Sequence, residues 1–142
     1  MWARAREGWL LATATAVRLS VAAYLRILPY RFWQPLLVAA MRPENGGRQE
    51  HPDLVARVVW AVGSTERIVP AGRCLERALT AWLMLHRRVP CRVRMGANLD
   101  AQGKLFAHAW LEVGGQVVLG ASGDPLAPLG EPGDFGDGST KR

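Results

Sequence analysis

The first part of the chain carries apolar residues at the spacing of α-helices. The pattern predicts four helices, over residues 8–28, 32–41, 53–62 and 74–88. Proline and glycine separate these segments, because proline cannot continue a helix and both residues favour turns. In the longest interruption, from Met41 to Pro52, the apolar pattern is lost, and we expect a loop there.

The first predicted helix has one continuous apolar face. The residues on that face are Leu10, Val17, Val21, Leu25 and Leu28. Arg18 and Arg26 are expected elsewhere on the helix. Because Arg18 interrupts the apolar run, the pattern favours an amphipathic helix over a membrane span. The apolar face then either packs on the domain or docks a partner or a membrane surface.

The spacing of apolar residues changes from helical to alternating after the fourth helix. Alternation over residues 91–97 and 105–113 predicts two half-buried strands, and residues 116–119 predict a return strand. The pair Gly114-Gly115 suits a two-residue hairpin turn, since glycine tolerates the positive φ angles of such turns. Helices followed by an antiparallel β meander indicate an α+β domain.

Composition divides the chain into three parts. Residues 1–52 form an N-terminal helical region with its connector, and residues 53–130 form the core. Residues 131–142 are expected to be a disordered tail, because the apolar pattern does not return there. A chain of 142 residues is long enough for one hydrophobic core.

The net charge of +6 lies mostly in the first half, where residues 1–73 hold 10 Arg and 5 acidic residues. Such a surface suits acidic lipid headgroups or an acidic peptide. Nucleic-acid binding is not expected, because basic and aromatic residues are not interleaved on a predicted strand. Two cysteines make no disulfide framework, and no Cys/His cluster has zinc spacing. We therefore expect a cytoplasmic protein without a metal or another cofactor.

Two residues carry the candidate chemistry. Cys74 begins the fourth helix, where the helix dipole and free N–H groups favour a thiolate and could bind an oxyanion. His108 lies on the second strand and is the residue type that usually activates a cysteine nucleophile. Each residue alone is also compatible with simple packing, since a free cysteine is often a small buried hydrophobe.

The surroundings of this pair resemble a known family. The segments Cys74-Leu75-Glu76-Arg77-Ala78-Leu79 and Ala107-His108-Ala109-Trp110-Leu111-Glu112-Val113-Gly114-Gly115 are similar to those of the lasso-peptide leader peptidases. These are microcin-processing members of the transglutaminase-like superfamily. The resemblance covers roughly residues 54–129. It implies a papain-like cysteine protease in which Cys74 is the nucleophile and His108 the general base and acid.

The third member of the implied catalytic triad is where the sequence departs from the family. The family's orienting Asp falls twelve residues past the histidine, and that position here is Gly120. Pairing through the Gly-Gly turn places Ala121 opposite His108, and Ala121 is not acidic either. Asp124 is the nearest downstream carboxylate and is the candidate acid. Water or a backbone carbonyl is the alternative.

The resemblance also implies partners. The substrate would be a ribosomally made precursor peptide, presented by a separate small leader-binding protein and passed on to a lasso cyclase. Contact of the N-terminal helix with a membrane surface is a further expectation. Two rival functions remain: a peptide-binding module that has lost activity, and a transglutaminase or amidase that uses the same acyl-enzyme chemistry.

Overall fold

The computed structural model describes residues 2–43, 51–68, 74–120 and 127–128. The helices are α1 (Trp2–Ile27), α2 (Tyr30–Met41), α3 (Pro52–Ser64) and α4 (Cys74–Leu85), with a 3₁₀ turn at Thr65–Arg67. The strands are β1 (Cys91–Leu99), β2 (Leu105–Val113), β3 (Gln116–Leu119) and β4 (Ala127–Pro128). The predicted α+β class is confirmed: in the described residues, four helices are followed by a small antiparallel sheet. The predicted tail at residues 131–142 lies outside the described residues.

The sheet has the strand order β3-β2-β1-β4. The first three strands form the predicted meander, with all described pairings antiparallel. The short strand β4 was not predicted, and it pairs with the outer edge of β1 through Gly96↔Pro128 and Ala97↔Ala127. A strand of two residues, one of them proline, has no alternating pattern that the sequence could reveal.

One hydrophobic core joins the helices to the sheet. Helix α4 lies between α1 and α3 on one side and strands β1 and β2 on the other. The fully buried residues Leu79 and Leu85 of α4 and Leu111 of β2 belong to this core. Helix α1 contributes Ala14 and Val21 to the same cluster, so its inner apolar face packs on the domain. The division of the chain at residue 52 stays a prediction.

The expectation that Arg18 lies away from the packed face of α1 is wrong. Its side chain is fully buried, and its Nη1 donates to Thr65 Oγ1 at 2.6 Å. Burial lowers the pKa of the Arg18 guanidinium, while the acidic Glu66 and Glu76 act in the opposite direction. Glu76 is also fully buried, and its nearest cation is the Arg26 guanidinium at 3.4 Å. The buried carboxylate of Glu76 on α4 explains why the inner face of α1 carries positive charge.

We expect Arg18→Ala to lower the free energy of unfolding by about 3 kcal/mol, because it opens a cavity and removes a cation that stabilises buried Glu76. The control Arg57→Ala removes an exposed guanidinium from α3 and should change stability by less than about 0.5 kcal/mol. Urea unfolding followed by circular dichroism measures both. If the two variants lost equal amounts of unfolding free energy, the buried guanidinium of Arg18 would not have the stabilising role given to it.

Helix α1 is also long and apolar enough to cross a membrane. Its span Ala3–Ile27 contains 25 residues and has a hydropathy of 1.4, which the segment interrupted by Arg18 was not expected to reach. Core helices of soluble proteins and N-terminal signal sequences have the same properties. Length and composition therefore permit membrane association and do not define its geometry.

Candidate functional site

Cys74 is the first residue of α4, and its half-buried thiol lies against strand β2. The Ala109 backbone N–H donates to Cys74 Sγ at 3.3 Å. Because Ala109 directly follows His108, standard backbone geometry places Sγ no more than about 6 Å from the His108 Cα. The fold thus brings the predicted cysteine and histidine together, although they are far apart in sequence. Their catalytic roles stay predictions.

The imidazole of His108 is held by the main chain. Its Nε2 lies 2.5 Å from the Gly120 carbonyl oxygen. A carbonyl oxygen can only accept, so Nε2 carries the hydrogen of this bond. In the neutral ring, Nδ1 then keeps its lone pair and is the nitrogen that can accept a proton. A base with one nitrogen held and the other available is the arrangement that activates a nucleophile.

These groups gather at the edge of β2 just beyond the end of β3. In a strand, the N–H and C=O groups of one residue point to the same side. A Cβ built on Gly120 would lie 3.0 Å from the Ala109 carbonyl oxygen, so this side of Ala109 faces the chain leaving β3. The Ala109 N–H that meets Cys74 therefore points to the same edge.

The register predicted from the Gly-Gly turn is wrong by one residue at this edge. Val113 pairs with Gln116 as predicted, but an irregularity follows, and Leu111 pairs with Leu119. Extra residues of this kind disrupt the ladder and bend the strand. The shift brings Gly120 beside Trp110, whose Cα is 3.4 Å from a Cβ built on Gly120. Ala121, which was expected opposite His108, lies outside the described residues.

The position expected to hold an acid instead supplies a backbone carbonyl. Gly120 stands where the resemblance places the orienting Asp, and its carbonyl accepts the His108 Nε2–H. This was the alternative that the sequence left open. Asp124, the candidate acid, lies outside the described residues, so its role stays a prediction.

Glu112 shares the strand face of His108, but its carboxylate is engaged elsewhere. It accepts the Trp110 indole N–H at 2.9 Å and lies 3.4 Å from Arg92 Nε. The Trp110 ring lies roughly parallel to His108, with centroids 6.3 Å apart and an interplanar angle of 22°. The carboxylate thus fixes the indole, and the indole limits the movement of the imidazole.

Neither the donor from Ala109 nor the acceptor from Gly120 has a sequence signature, because any residue offers the same backbone groups. Only the position of Gly120, twelve residues past His108, drew attention to it. Within the described residues, no group of three or more His, Cys, Asp or Glu side chains could hold a metal ion.

We expect Gly120→Ala to lower activity at this site by about tenfold or more. Gly120 has a φ of +83°, and a Cβ there would press on the Ala109 carbonyl, so the acceptor for His108 would move. The control Gly115→Ala has a similar φ of +79° but meets no atom within 4 Å. Both variants should lose about 1 kcal/mol of stability, and only Gly120→Ala should lose activity. Equal activities would show that the carbonyl does not orient the ring.

The same geometry argues against restoring an acid at this position. Gly120→Asp would carry the same strained φ and the same close contact, so we expect it to lower activity.

The comparisons with known proteins agree with the fold. The model of the transglutaminase-like superfamily named Transglut_core3 matches residues 12–129, which include both helical and sheet regions and the Cys74–His108 pair. No curated protein and no solved structure gives a significant match. The chain therefore belongs to the transglutaminase-like superfamily, whose typical members are cysteine peptidases and transglutaminases.

Proposed function

We propose that this protein is a cytoplasmic cysteine peptidase that removes the leader from a ribosomally made lasso-peptide precursor. The observation that carries the proposal is the contact of Cys74 Sγ with the Ala109 N–H, next to a histidine whose Nε2 is held by Gly120. A thiol and a positioned imidazole are the two groups that acyl-enzyme chemistry requires.

The geometry supports a stepwise mechanism. His108 Nδ1 takes the thiol proton, and Cys74 Sγ attacks the carbonyl carbon of the scissile peptide bond. The positive end of α4 and the backbone N–H of Ala109 lie near the developing negative charge. His108 then gives its proton to the leaving amine, which leaves an acyl-enzyme. Water, deprotonated by His108, hydrolyses the thioester and releases the second product.

The Gly120 carbonyl argues against the rival hypothesis that the protein is an inactive peptide-binding module. That hypothesis came from the lack of an acid at position 120. A carbonyl that accepts the Nε2–H holds the same tautomer that an orienting carboxylate would hold. Residual catalysis without the acid is a general property of such sites.

The choice of a leader peptide as substrate rests on the resemblance of two segments. They are the segment that begins at Cys74 and the segment from Ala107 to Gly115. The partners that accompany this choice are a small leader-binding protein, which presents the precursor, and a lasso cyclase. A presenting partner raises the local substrate concentration at Cys74 without adding a catalytic group.

The test is cleavage of a full-length precursor, followed by mass spectrometry with and without the leader-binding protein. We expect one cleavage position and a rate at least about tenfold higher with the partner. Cleavage only of side-chain amides, with ammonia released, would favour an amidase or transglutaminase instead. Equal rates with and without the partner would remove the dependence.

The docking site for this partner is not the inner face of α1. Val21 lies in the hydrophobic core, so Val21→Asp would unfold the protein rather than report on docking. Variants for partner binding must be chosen among exposed residues.

A further inference from the structure

An apolar stripe runs along the outer face of α1 from Trp9 to Ile27. We call this face the outer stripe; its residues are Trp9, Ala12, Ala16, Leu19, Ala23 and Ile27. They recur every three or four positions and are all exposed, with Trp9 at 73%, Leu19 at 51% and Ile27 at 78%. From Trp9 to Ile27 the stripe extends about 27 Å. A helix of a soluble domain usually places charged residues on this side.

The hydroxyl groups of α1 do not make its surface polar. Thr13, Thr15 and Ser20 each donate to the carbonyl oxygen four residues earlier, at 2.8 Å. Their polar hydrogens are therefore used inside the helix, as they must be where no water is present. The outer stripe carries no charge, and the neighbouring hydroxyls donate within the helix, so the stripe suits an apolar medium.

Basic residues stand at both ends of the stripe. Arg4 lies before it, and Arg26 and Arg31 lie at the corner between α1 and α2. Residues 8–43 contain no Asp or Glu. Tyr30 is exposed at this corner and packs edge-on against Trp33. Amphipathic aromatic rings and guanidinium groups beside an apolar surface match the headgroup layer of an anionic bilayer.

The inner face of α1 determines how the helix can meet a bilayer. It carries Arg18, fully buried against Thr65, and it packs on α3 and α4. A membrane-spanning α1 would have to leave these contacts and carry Arg18 into the hydrocarbon, which is costly. The helix can therefore keep its place in the domain and present only its outer stripe.

We propose that the outer stripe of α1 binds the surface of an anionic membrane, with the helix lying in the plane of the interface. Trp9, Leu19 and Ile27 enter the boundary between headgroups and acyl chains, and Arg4 and Arg31 contact lipid phosphates. A second copy of the chain could also cover an apolar stripe, but the basic ends would then face each other and repel in an antiparallel or parallel pair. This inference does not depend on the peptidase function.

The test is sedimentation of the full chain with vesicles. One set contains phosphatidylcholine with phosphatidylglycerol, and the other contains phosphatidylcholine alone. We expect binding to the anionic vesicles, weakened by salt, and little binding to the neutral ones. Leu19→Asp and Ile27→Asp should each lower the partition coefficient by about tenfold, because an apolar side chain that enters the bilayer is replaced by an anion.

The control Leu105→Asp changes an exposed leucine at the start of β2, away from the outer stripe, and should bind like the wild type. The double variant Ala16→Leu/Ala23→Leu adds apolar area to the stripe and should bind more tightly. Circular dichroism of this variant checks that it is folded, so that tighter binding cannot be attributed to unfolding. No binding to anionic vesicles, or unchanged binding of both Asp variants, would overturn the proposal. Concentration-dependent dimers that Leu19→Asp abolishes, without lipid binding, would assign the stripe to a second copy instead.

Discussion

Cys74→Ala is expected to lower precursor cleavage by at least about three orders of magnitude, to the level of the uncatalysed background. The variant keeps the first turn of α4 but has no atom that can form the acyl-enzyme. Alanine is a good helix former, and within the described residues the thiol loses the hydrogen bond from the Ala109 N–H, so the fold should persist. Mass spectrometry of products over time, with the leader-binding protein present, measures the loss.

Cys91→Ala is the matched control for this experiment. Cys91 is the only other cysteine of the chain and is buried at the start of β1. Its replacement should cost about 1 kcal/mol of stability and leave the cleavage rate within about twofold. If Cys74→Ala cleaves at the wild-type rate, the nucleophile is elsewhere and the cysteine peptidase proposal fails.

The second large effect is expected from His108→Ala, which should lower cleavage by about 10²- to 10⁴-fold. Without the imidazole, Cys74 must lose its proton to solvent, and no group is positioned to protonate the leaving amine. The residual rate should therefore rise more steeply with pH than the wild-type rate, because solvent alone removes the thiol proton in the variant. Alkylation of Cys74 by iodoacetamide from pH 5 to 9 isolates the first of these two roles.

His51→Ala provides the control, because His51 is exposed at the start of α3 and its loss should leave both assays unchanged. Identical pH profiles for wild type and His108→Ala would show that His108 does not activate the thiol.

Asp124→Asn belongs in the same series. A rate close to wild type would leave Gly120 as the orienting group, whereas a large loss would show that a carboxylate also contributes.

The elements of this fold could be predicted wherever the signal was local. The range of β2 agrees with its alternation, and β3 begins where the Gly-Gly turn ends. Helix α4 begins at the expected cysteine but ends at Leu85, before the predicted residue 88. A hydrogen-bonded turn follows, because Pro90 restricts the residue before it.

The position of Arg18 could not be predicted, because its reason lies in remote parts of the chain. A charged residue in an amphipathic helix is expected to face water, and only the buried Glu76 and Thr65 make another position favourable. The same applies to the irregularity between β2 and β3, which has no mark in the sequence. Tertiary contacts decide both features.

The candidate site was predictable in its side chains and not in its backbone groups. Cysteine and histidine have chemistry that a reader of the sequence can recognise, and the segments around Cys74 and His108 resemble a family. The Ala109 N–H and the Gly120 carbonyl belong to residues whose side chains take no part. Such groups become visible only when the strands are placed in three dimensions.

The hydrogen bond between Arg18 and Thr65 joins residues 47 positions apart, and this separation has a consequence for synthesis on the ribosome. Because chains are synthesised at about 5 to 20 residues per second, several seconds pass between the synthesis of Arg18 and that of Thr65. During that interval both faces of the helix are exposed, one with an unpaired guanidinium and one apolar. The newly made α1 is therefore a target for chaperones or for a nearby lipid surface before the rest of the domain exists.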